Sequence, residues 1–269
     1  MSQTLSERQQ REQAEFTARA AALTRPEINF DHYAHRRFGP WNPYWRVHDL
    51  VVRNYPPPRR LLSYGCGAGR SGLIYAQLGY SVAGIDICAA LVDNARYLAE
   101  KYGFVDRAVF TVQAAERLDY SDESFDVVVG EDVLHHINLG EAIPELYRVL
   151  KPGGVAIFKD SLATPLRDSL RRRPPITWFL PLGTKNRMTG ELYCDTPDER
   201  MLTQGDLDLL RRHFPEIKIE RFHVLTLLAK VFGNRPFFER CDWWLFRVLP
   251  VLRRFGDNVV IILKKGDDC

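Results

Sequence analysis

Two carboxylates precede two histidines in residues 131–136 (EDVLHH). An imidazole can take a proton from a reacting oxygen or nitrogen near neutral pH. His135 and His136 are therefore candidate catalytic general bases. In the alternative interpretation both are structural, with one histidine packed in the protein and the other at the end of a helix.

Three glycines at alternate positions, Gly65, Gly67 and Gly69, follow a short apolar run and precede a helix-compatible segment. Glycine permits backbone conformations and close approaches that a Cβ would forbid. A ligand can lie against such a turn with its polar end near the helix N-terminus. Residues 67–72 also match the dinucleotide pattern G-x-G-x-x-G, which is a weak signal alone. An ordinary tight turn is a third interpretation.

A further carboxylate, Asp86, ends the next apolar run along the chain. An acid at the end of the second strand can accept hydrogen bonds from both ribose hydroxyls of a bound nucleoside. A lone surface aspartate is common, but the glycine turn and Asp86 together predict a nucleoside-type site.

The elements that must position these residues alternate between strands and helices. The predicted strands are 60–64, 81–86, 108–112, 124–129, 155–158, 216–222 and 257–264, and the predicted helices are 2–24, 47–54, 71–78, 91–102, 141–150 and 203–214. This alternation predicts an α/β fold with a doubly wound parallel sheet. Ligands bind outside the carboxyl ends of such strands, so the topology brings residues 131–136 to the site.

The chain has 269 residues and is 45% apolar, which predicts one domain spanning residues 1–269. Residues 1–58 are expected to form an N-terminal helical strap, whose aromatic and arginine-rich part either folds over a ligand or packs without touching it. Residues 161–201 contain five prolines and interrupt the alternation. Such a long insertion is typical of a lid.

Residues 224–252 are rich in aromatic residues interrupted by arginines. Ordinary core packing is the simplest explanation. The alternatives are a helical cap over an apolar acceptor and an interfacial element that touches a membrane surface.

The net charge of +3 is not concentrated in a long basic run, which argues against nucleic acid as a partner. Five dispersed cysteines lack CxxC or metal-ligand spacing, so we expect reduced thiols and no metal. The polar N-terminus and the lack of a membrane-length apolar run predict a cytoplasmic protein.

Four motifs, in this order, resemble those of the class I S-adenosylmethionine-dependent methyltransferases that act on small molecules. They are residues 61–69 (LLSYGCGAG), residues 82–87 (VAGIDI), residues 114–118 with 124–128 (AAERL and SFDVV), and residues 148–154 (RVLKPGG). The ordered set favours this family over the dinucleotide-binding alternative.

The resemblance implies a Rossmann-like, seven-stranded, mostly parallel sheet with the last strand antiparallel and helices on both faces. It also implies S-adenosyl-L-methionine as the cofactor. The implied cofactor-binding residues are Gly65, Gly67 and Gly69 at the methionine and ribose, Asp86 at the ribose, Ile87, Ala115 and Glu116 at the adenine, Glu131 with the Gly130 backbone at the ammonium, and Tyr33 and Arg37 closing over the cofactor.

The implied activity is methyl transfer to an oxygen, nitrogen or carbon atom of a small molecule, and the aromatic segments favour a partly apolar acceptor. Ser63 and Ala114 stand where the family usually has acids. Losing both acids can weaken cofactor affinity by about 1–3 kcal/mol. Two alternatives therefore stay open: an enzyme that binds the cofactor for other chemistry, and a non-catalytic cofactor-binding subunit. The oligomeric state is also open.

Overall fold

The computed structural model describes residues 5–22, 27–28, 30, 41–164, 200–228 and 232–267. Seven strands in these residues form one sheet in the order β3-β2-β1-β4-β5-β7-β6. The strands are β1 Arg60–Tyr64, β2 Ser81–Asp86, β3 Ala108–Val112, β4 Phe125–Glu131, β5 Leu150–Ser161, β6 Glu216–Phe222 and β7 Asn258–Lys264. The predicted α/β fold is confirmed.

The helices of the described residues are α1 Glu7–Ala22, α2 Pro43–Asn54, α3 Arg70–Gln77, α4 Ala89–Lys101, α5 Leu139–Val149, α6 Gln204–His213 and α7 Arg235–Val248. Helix α2 begins where the Asn42 side chain accepts hydrogen bonds from the backbone N–H groups of Tyr44 and Trp45. Proline at its first position suits a helix start, because the N–H that it lacks has no partner there. This cap fixes where α2 places its first aromatic residues.

The central strands β1 and β4 are apolar and buried on both faces, as parallel strands between two helix layers must be. Their parallel register pairs Ser63 with Val129 and Tyr64 with Gly130. The glycine turn after β1 and the acids at the end of β4 consequently lie at the same edge of the sheet.

Strand β7 runs antiparallel to both β5 and β6, as the resemblance implied. Strand β5 is longer than predicted. Residues 150–154 were not predicted to form a strand, and residue 150 was placed at the end of a helix, but they form the start of β5. Gly153, at φ +68°, turns the backbone, and the backbone N–H groups of Gly153 and Lys265 donate to Gly266 and Gly154. The start of β5 is therefore stabilised by the C-terminal residues.

The expectation of core packing for residues 224–252 is wrong for most of the large side chains after residue 231. Helix α7 buries Glu239, Asp242 and Phe246. Phe237, Trp244 and neighbouring apolar residues are exposed instead. Most of the large apolar residues in this segment therefore face away from the core.

Helix α1 confirms the first predicted helix. Tyr33, Arg37 and residues 165–199 of the predicted lid lie outside the described residues, so those assignments stay predictions. No helix in the described part of the chain combines the length and apolar character that crossing a membrane requires.

Candidate functional site

A cavity of about 440 Å³ opens beside the glycine turn, at the carboxyl edge of the sheet. The residues lining it include Ser63 and Gly65–Ala68 of the turn region, Asn42, Tyr44, Trp45 and His48 from α2 and its cap, Ser71 and Tyr75 from α3, and Gly130 and Glu131 from β4. Aromatic rings and a few polar groups therefore surround a space suited to a small molecule.

The three predicted glycines differ in what they contribute. A Cβ added to Gly67, at φ +51°, would meet no atom within 4 Å, so this position leaves room above the turn. A Cβ on Gly65 would lie 2.6 Å from Val133, and one on Gly69 would lie 2.6 Å from Ala95 of α4. Gly67 is open to a ligand, whereas Gly65 and Gly69 also allow close packing of the turn.

Asp86 is brought directly to the turn. One carboxylate oxygen accepts a hydrogen bond from the Gly67 N–H at 2.9 Å, and the other accepts from the Cys88 N–H at 2.9 Å. Burial raises the pKa of Asp86, although these hydrogen bonds oppose the shift. A carboxylate offers about four lone-pair sites, so Asp86 can also accept from a ribose hydroxyl.

Helix α1 crosses the rim that carries the predicted adenine-binding residues. The Gln13 amide donates to the Ile87 carbonyl at 2.9 Å, and the Gln9 amide donates to Glu116 at 2.8 Å. The Tyr64 hydroxyl donates to the Ala115 carbonyl at 2.7 Å, which ties this loop to β1. The structure therefore brings Ile87, Ala115 and Glu116 to one rim beneath α1.

Glu131 ends β4 and lines the cavity. Burial and the neighbouring charge of Asp132 raise its pKa to about 7, against opposing effects of Lys159 and Ser71. Its one hydrogen bond among the described residues is a long one, 3.4 Å, from the Ser71 hydroxyl. No cation of the described residues lies within ion-pair distance of Glu131, so a bound cation would favour its ionised form.

Next to Glu131, Asp132 adopts φ +53°, a left-handed conformation that is uncommon outside glycine. The Lys159 ammonium donates to one carboxylate oxygen and the Tyr44 hydroxyl to the other, each at 2.5 Å. Burial would raise the pKa of Asp132, but the charge and hydrogen bond of Lys159 and the Tyr44 hydroxyl lower it. The cluster holds the Tyr44 ring in the cavity wall.

The two candidate histidines have different surroundings. His135 is buried, and its Nδ1 lies 2.6 Å from a carboxylate oxygen of the fully buried Asp160. The second Asp160 oxygen accepts from the Leu134 N–H at 2.9 Å. A carboxylate that accepts from Nδ1–H orients the ring and leaves Nε2 as the basic nitrogen.

His136 instead faces helix α1. Its Nδ1 lies 3.2 Å from Glu12, and its ring packs edge-on against Phe16 at 5.3 Å between centroids. This environment matches the structural interpretation of His136, while the His135–Asp160 pair has the arrangement of a general base.

Potential ligand atoms of Asp132, His135 and Asp160 lie within 4.8 Å of one another. The buried ammonium of Lys159 already supplies a positive charge to this cluster through Asp132.

Sequence reasoning missed Lys159 and Asp160. Lys159 and Asp160 lie near the carboxyl end of β5, where the topology puts ligand-facing residues, and that signal was available. Tyr44 lies in the aromatic part of the strap that was expected to fold over a ligand or to pack without touching it, but its contact with Asp132 depends on the packing of α2 and had no sequence signal.

The methyltransferase domain family matches residues 62–158. The 27-O-demethylrifamycin SV methyltransferase of Amycolatopsis mediterranei is 39% identical over 108 residues, or 39% of this chain and 40% of that enzyme. An uncharacterized methyltransferase of Synechocystis, sll0829, is 28% identical over 62% of this chain and 76% of that protein. The match to the rifamycin enzyme thus spans two fifths of its length.

Two solved structures share the fold. The geranyl diphosphate C-methyltransferase of Streptomyces coelicolor has a TM-score of 0.56 at 14% identity, with 82% of this chain and 80% of that chain covered. The [4+2]-cyclase SpnF has a TM-score of 0.55 at 20% identity, with 83% and 81% covered. At these identities the likeness shows the fold alone.

Residues 62–158, less than half of the chain, match the methyltransferase domain family, and the sheet order agrees with the fold of class I S-adenosylmethionine-dependent methyltransferases. The cofactor of this family is S-adenosyl-L-methionine. The residues present fit that cofactor, because space lies open above Gly67, Asp86 stands beside the turn, and Glu131 faces the cavity without a cation among the described residues.

Proposed function

We propose that this protein transfers the methyl group of S-adenosyl-L-methionine to a hydroxyl oxygen of a small, partly apolar molecule. The observation that carries the proposal is the His135–Asp160 pair, in which a buried carboxylate orients an imidazole near the end of β4. The bound sulfonium supplies an electrophilic methyl group, and the remaining work is positioning, water exclusion and proton removal.

Asp86 would hold the ribose hydroxyls and Glu131 the ammonium of the methionine part. Both carboxylates lie at the carboxyl edge, one at the end of β2 and one at the end of β4. Ile87, Ala115 and Glu116 would receive the adenine beneath α1, and Tyr33 and Arg37 remain proposed closing residues. This arrangement needs neither of the acids replaced by Ser63 and Ala114.

His135 would act on the acceptor. Its Nε2 would take the proton from the acceptor hydroxyl, and Asp160 would stabilise the imidazolium that forms. The bound cofactor would supply its methyl group to that oxygen and leave as S-adenosylhomocysteine. The ionised Asp132 nearby adds a second favourable charge, because Lys159 and Tyr44 keep its pKa low. Removal of this proton makes the oxygen nucleophilic without a free hydroxide ion.

The acceptor is proposed to be partly apolar because Tyr44, Trp45 and Tyr75 line the cavity. Relatives described as rifamycin, sterol and geranyl diphosphate methyltransferases support a small molecule of this character. We also propose a cytoplasmic location and no nucleic-acid partner. The chain is proposed to form one domain, with residues 1–58 as a strap and residues 161–201 as a lid. Buried free thiols at Cys66 and Cys88 suit a reducing compartment.

The test is an acceptor screen that measures S-adenosylhomocysteine formation with hydroxylated aromatic, terpenoid and sterol compounds. His135→Asn keeps a donor toward Asp160 but removes Nε2. We expect kcat to fall by about 10²–10⁴-fold, with the affinity for S-adenosylhomocysteine unchanged. His136→Asn is the matched control and should change kcat far less.

A fully active His135→Asn variant would exclude the proposed base. Cofactor binding without turnover across the screen would favour the non-catalytic subunit. Conversion of a compound without S-adenosylhomocysteine formation would favour other chemistry on the same fold, of the kind that the cyclase SpnF represents.

A further inference from the structure

The solvent-facing side of residues 232–255, called here the C-terminal surface, is rich in exposed apolar side chains. They are Phe232 (71% exposed), Phe237 (54%), Trp244 (62%), Val248 (73%), Leu249 (49%) and Val251 (59%). Phe237, Trp244 and Val248 recur at helical spacing, so they share one face of α7. An exposed apolar patch of this kind typically marks a binding surface.

The polarity of α7 is inverted relative to an ordinary surface helix. Its acids point inward: Glu239 is 4% exposed and Asp242 is 1% exposed. Asp242 accepts hydrogen bonds from three backbone N–H groups, those of residues 224–226. Glu239 accepts from Arg235 and from the Asn42 amide. Residues 232–255 contain no other acid, so this segment contributes no exposed carboxylate to the surface.

The exposed charges of this segment are arginines. Arg240, Arg247, Arg253 and Arg254 are exposed, and none forms an ion pair within the described part of the chain. The Arg247 guanidinium lies 4.5 Å from the Trp243 ring centroid, and that of Arg240 lies 5.1 Å from the Trp41 centroid. Arginines among aromatic and aliphatic side chains are typical of helices that lie in a lipid interface.

We propose that the C-terminal surface attaches the protein to the surface of an anionic lipid membrane. The apolar side chains would enter the boundary between headgroups and acyl chains, and the arginines would contact anionic headgroups. Charge complementarity selects this partner, because the surface combines positive charge with apolar area and lacks carboxylates from its own segment.

The C-terminal surface is also connected to the cavity. Trp243 packs edge-on against Trp41 at 6.0 Å between centroids, and Glu239 binds Asn42, which lines the cavity. Attachment would therefore bring the cavity close to the lipid, where an apolar acceptor dissolves. The attachment itself does not depend on the proposed methyl transfer.

The test is co-sedimentation of the full chain with vesicles of mixed phosphatidylcholine and phosphatidylglycerol, and with vesicles of phosphatidylcholine alone. We expect at least about tenfold stronger binding to the mixed vesicles at low salt, weakened by added salt. The double variant Trp244→Gln/Val248→Gln should lose at least about tenfold in binding. The matched control is Leu78→Gln/Val105→Gln, whose side chains are 39% and 51% exposed elsewhere on the molecule.

A second pair of variants tests the charge. Arg240→Gln/Arg247→Gln should lose the preference for phosphatidylglycerol, whereas Arg107→Gln/Arg212→Gln, at exposed sites elsewhere, should keep it. The proposal is overturned if the protein does not sediment with the mixed vesicles at low salt. It is also overturned if a test variant and its matched control lose vesicle binding equally. Concentration-dependent dimerisation that Trp244→Gln/Val248→Gln abolishes would assign the surface to a second copy of the chain and also overturn it.

Discussion

Glu131 is a carboxyl group whose protonation should depend on the ligand. Its pKa of about 7 leaves it partly protonated near neutral pH in the ligand-free protein. An ammonium group in the cavity favours the carboxylate, so S-adenosylhomocysteine should bind more tightly as the pH rises from about 6 to about 8. Glu131→Gln should weaken binding by about 10–100-fold and remove this pH dependence.

Calorimetric titration with S-adenosylhomocysteine across that pH range measures both effects. Glu100→Gln, an exposed glutamate on α4, is the control and should titrate like the unmodified protein. An unchanged affinity of Glu131→Gln at every pH would mean that the side chain does not hold the ammonium.

The same residue should make the ligand-free fold less stable at alkaline pH. Its pKa is raised in the folded state, so its proton-linked stabilisation is complete below about pH 4.5 and is lost as the pH rises through about 7. Glu131→Gln should therefore gain stability relative to the unmodified protein by on the order of 2 kcal/mol between about pH 5 and pH 8. Denaturant unfolding at both pH values measures the free energy of unfolding of each protein. An equal gain of Glu131→Gln at both pH values would contradict this prediction.

At the scale of elements, helix α2 is joined to the sheet by an ion pair. Arg46 donates to both carboxylate oxygens of Glu220 on β6, at 2.7 and 2.9 Å. Burial would raise the pKa of Glu220, but the hydrogen bonds and charges of Arg46 and Lys218 lower it to about 2. The same helix carries Tyr44, so this pair also supports the cavity wall.

Glu220→Gln should destabilise the protein by about 2 kcal/mol at neutral pH. The lowered pKa means that this stabilisation is complete above about pH 4.5 and is lost as the pH falls toward about 2. The difference from the unmodified protein should therefore shrink on acidification, as followed by urea unfolding. Glu216→Gln, at an exposed site on the same strand, should cost less than about 0.5 kcal/mol.

Most elements were predictable because their apolar residues follow the period of the structure they form. Strands β1, β2, β3 and β6 have the predicted bounds, and β5 differs because its first residues pair through their backbone, which side-chain patterns do not record. Helix α7 was one alternative for residues 224–252 but was given no bounds, because Glu239 and Asp242 lie on its buried face and its pattern is the reverse of the usual one.

In the candidate site too, some residues were predictable from the sequence and others only from the folded structure. The residue types and positions of the glycines and of the acid at a strand end predicted a ligand-binding role. The structure brings Gly67 and Asp86 together. The His135–Asp160 pair joins residues from two strand ends, and the sequence alone did not choose between His135 and His136. The proposed choice of His135 rests on which neighbour each ring meets in the folded protein.

At the scale of the whole molecule, α1 and α2 both cover an edge that is built from strands farther along the chain. Ligand binding should therefore stabilise the complete fold. S-adenosylhomocysteine at about 100 times its dissociation constant should add about 2.7 kcal/mol, which corresponds to a rise in Tm of roughly 5–10 °C. Differential scanning fluorimetry measures the shift, and a comparable rise with NADH would instead support a dinucleotide site.

The contacts of α1 have a kinetic consequence. Gln9 and Gln13 join the helix to the rim by side-chain hydrogen bonds, and Thr17 adds a 3.6 Å contact to Cys88. A nucleoside bound beneath α1, as proposed, would leave as the helix separates from the rim. Release of S-adenosylhomocysteine should then be the rate-limiting step of the catalytic cycle. Rapid-mixing kinetics should therefore show a burst of one product molecule per protein, followed by a slower steady-state rate.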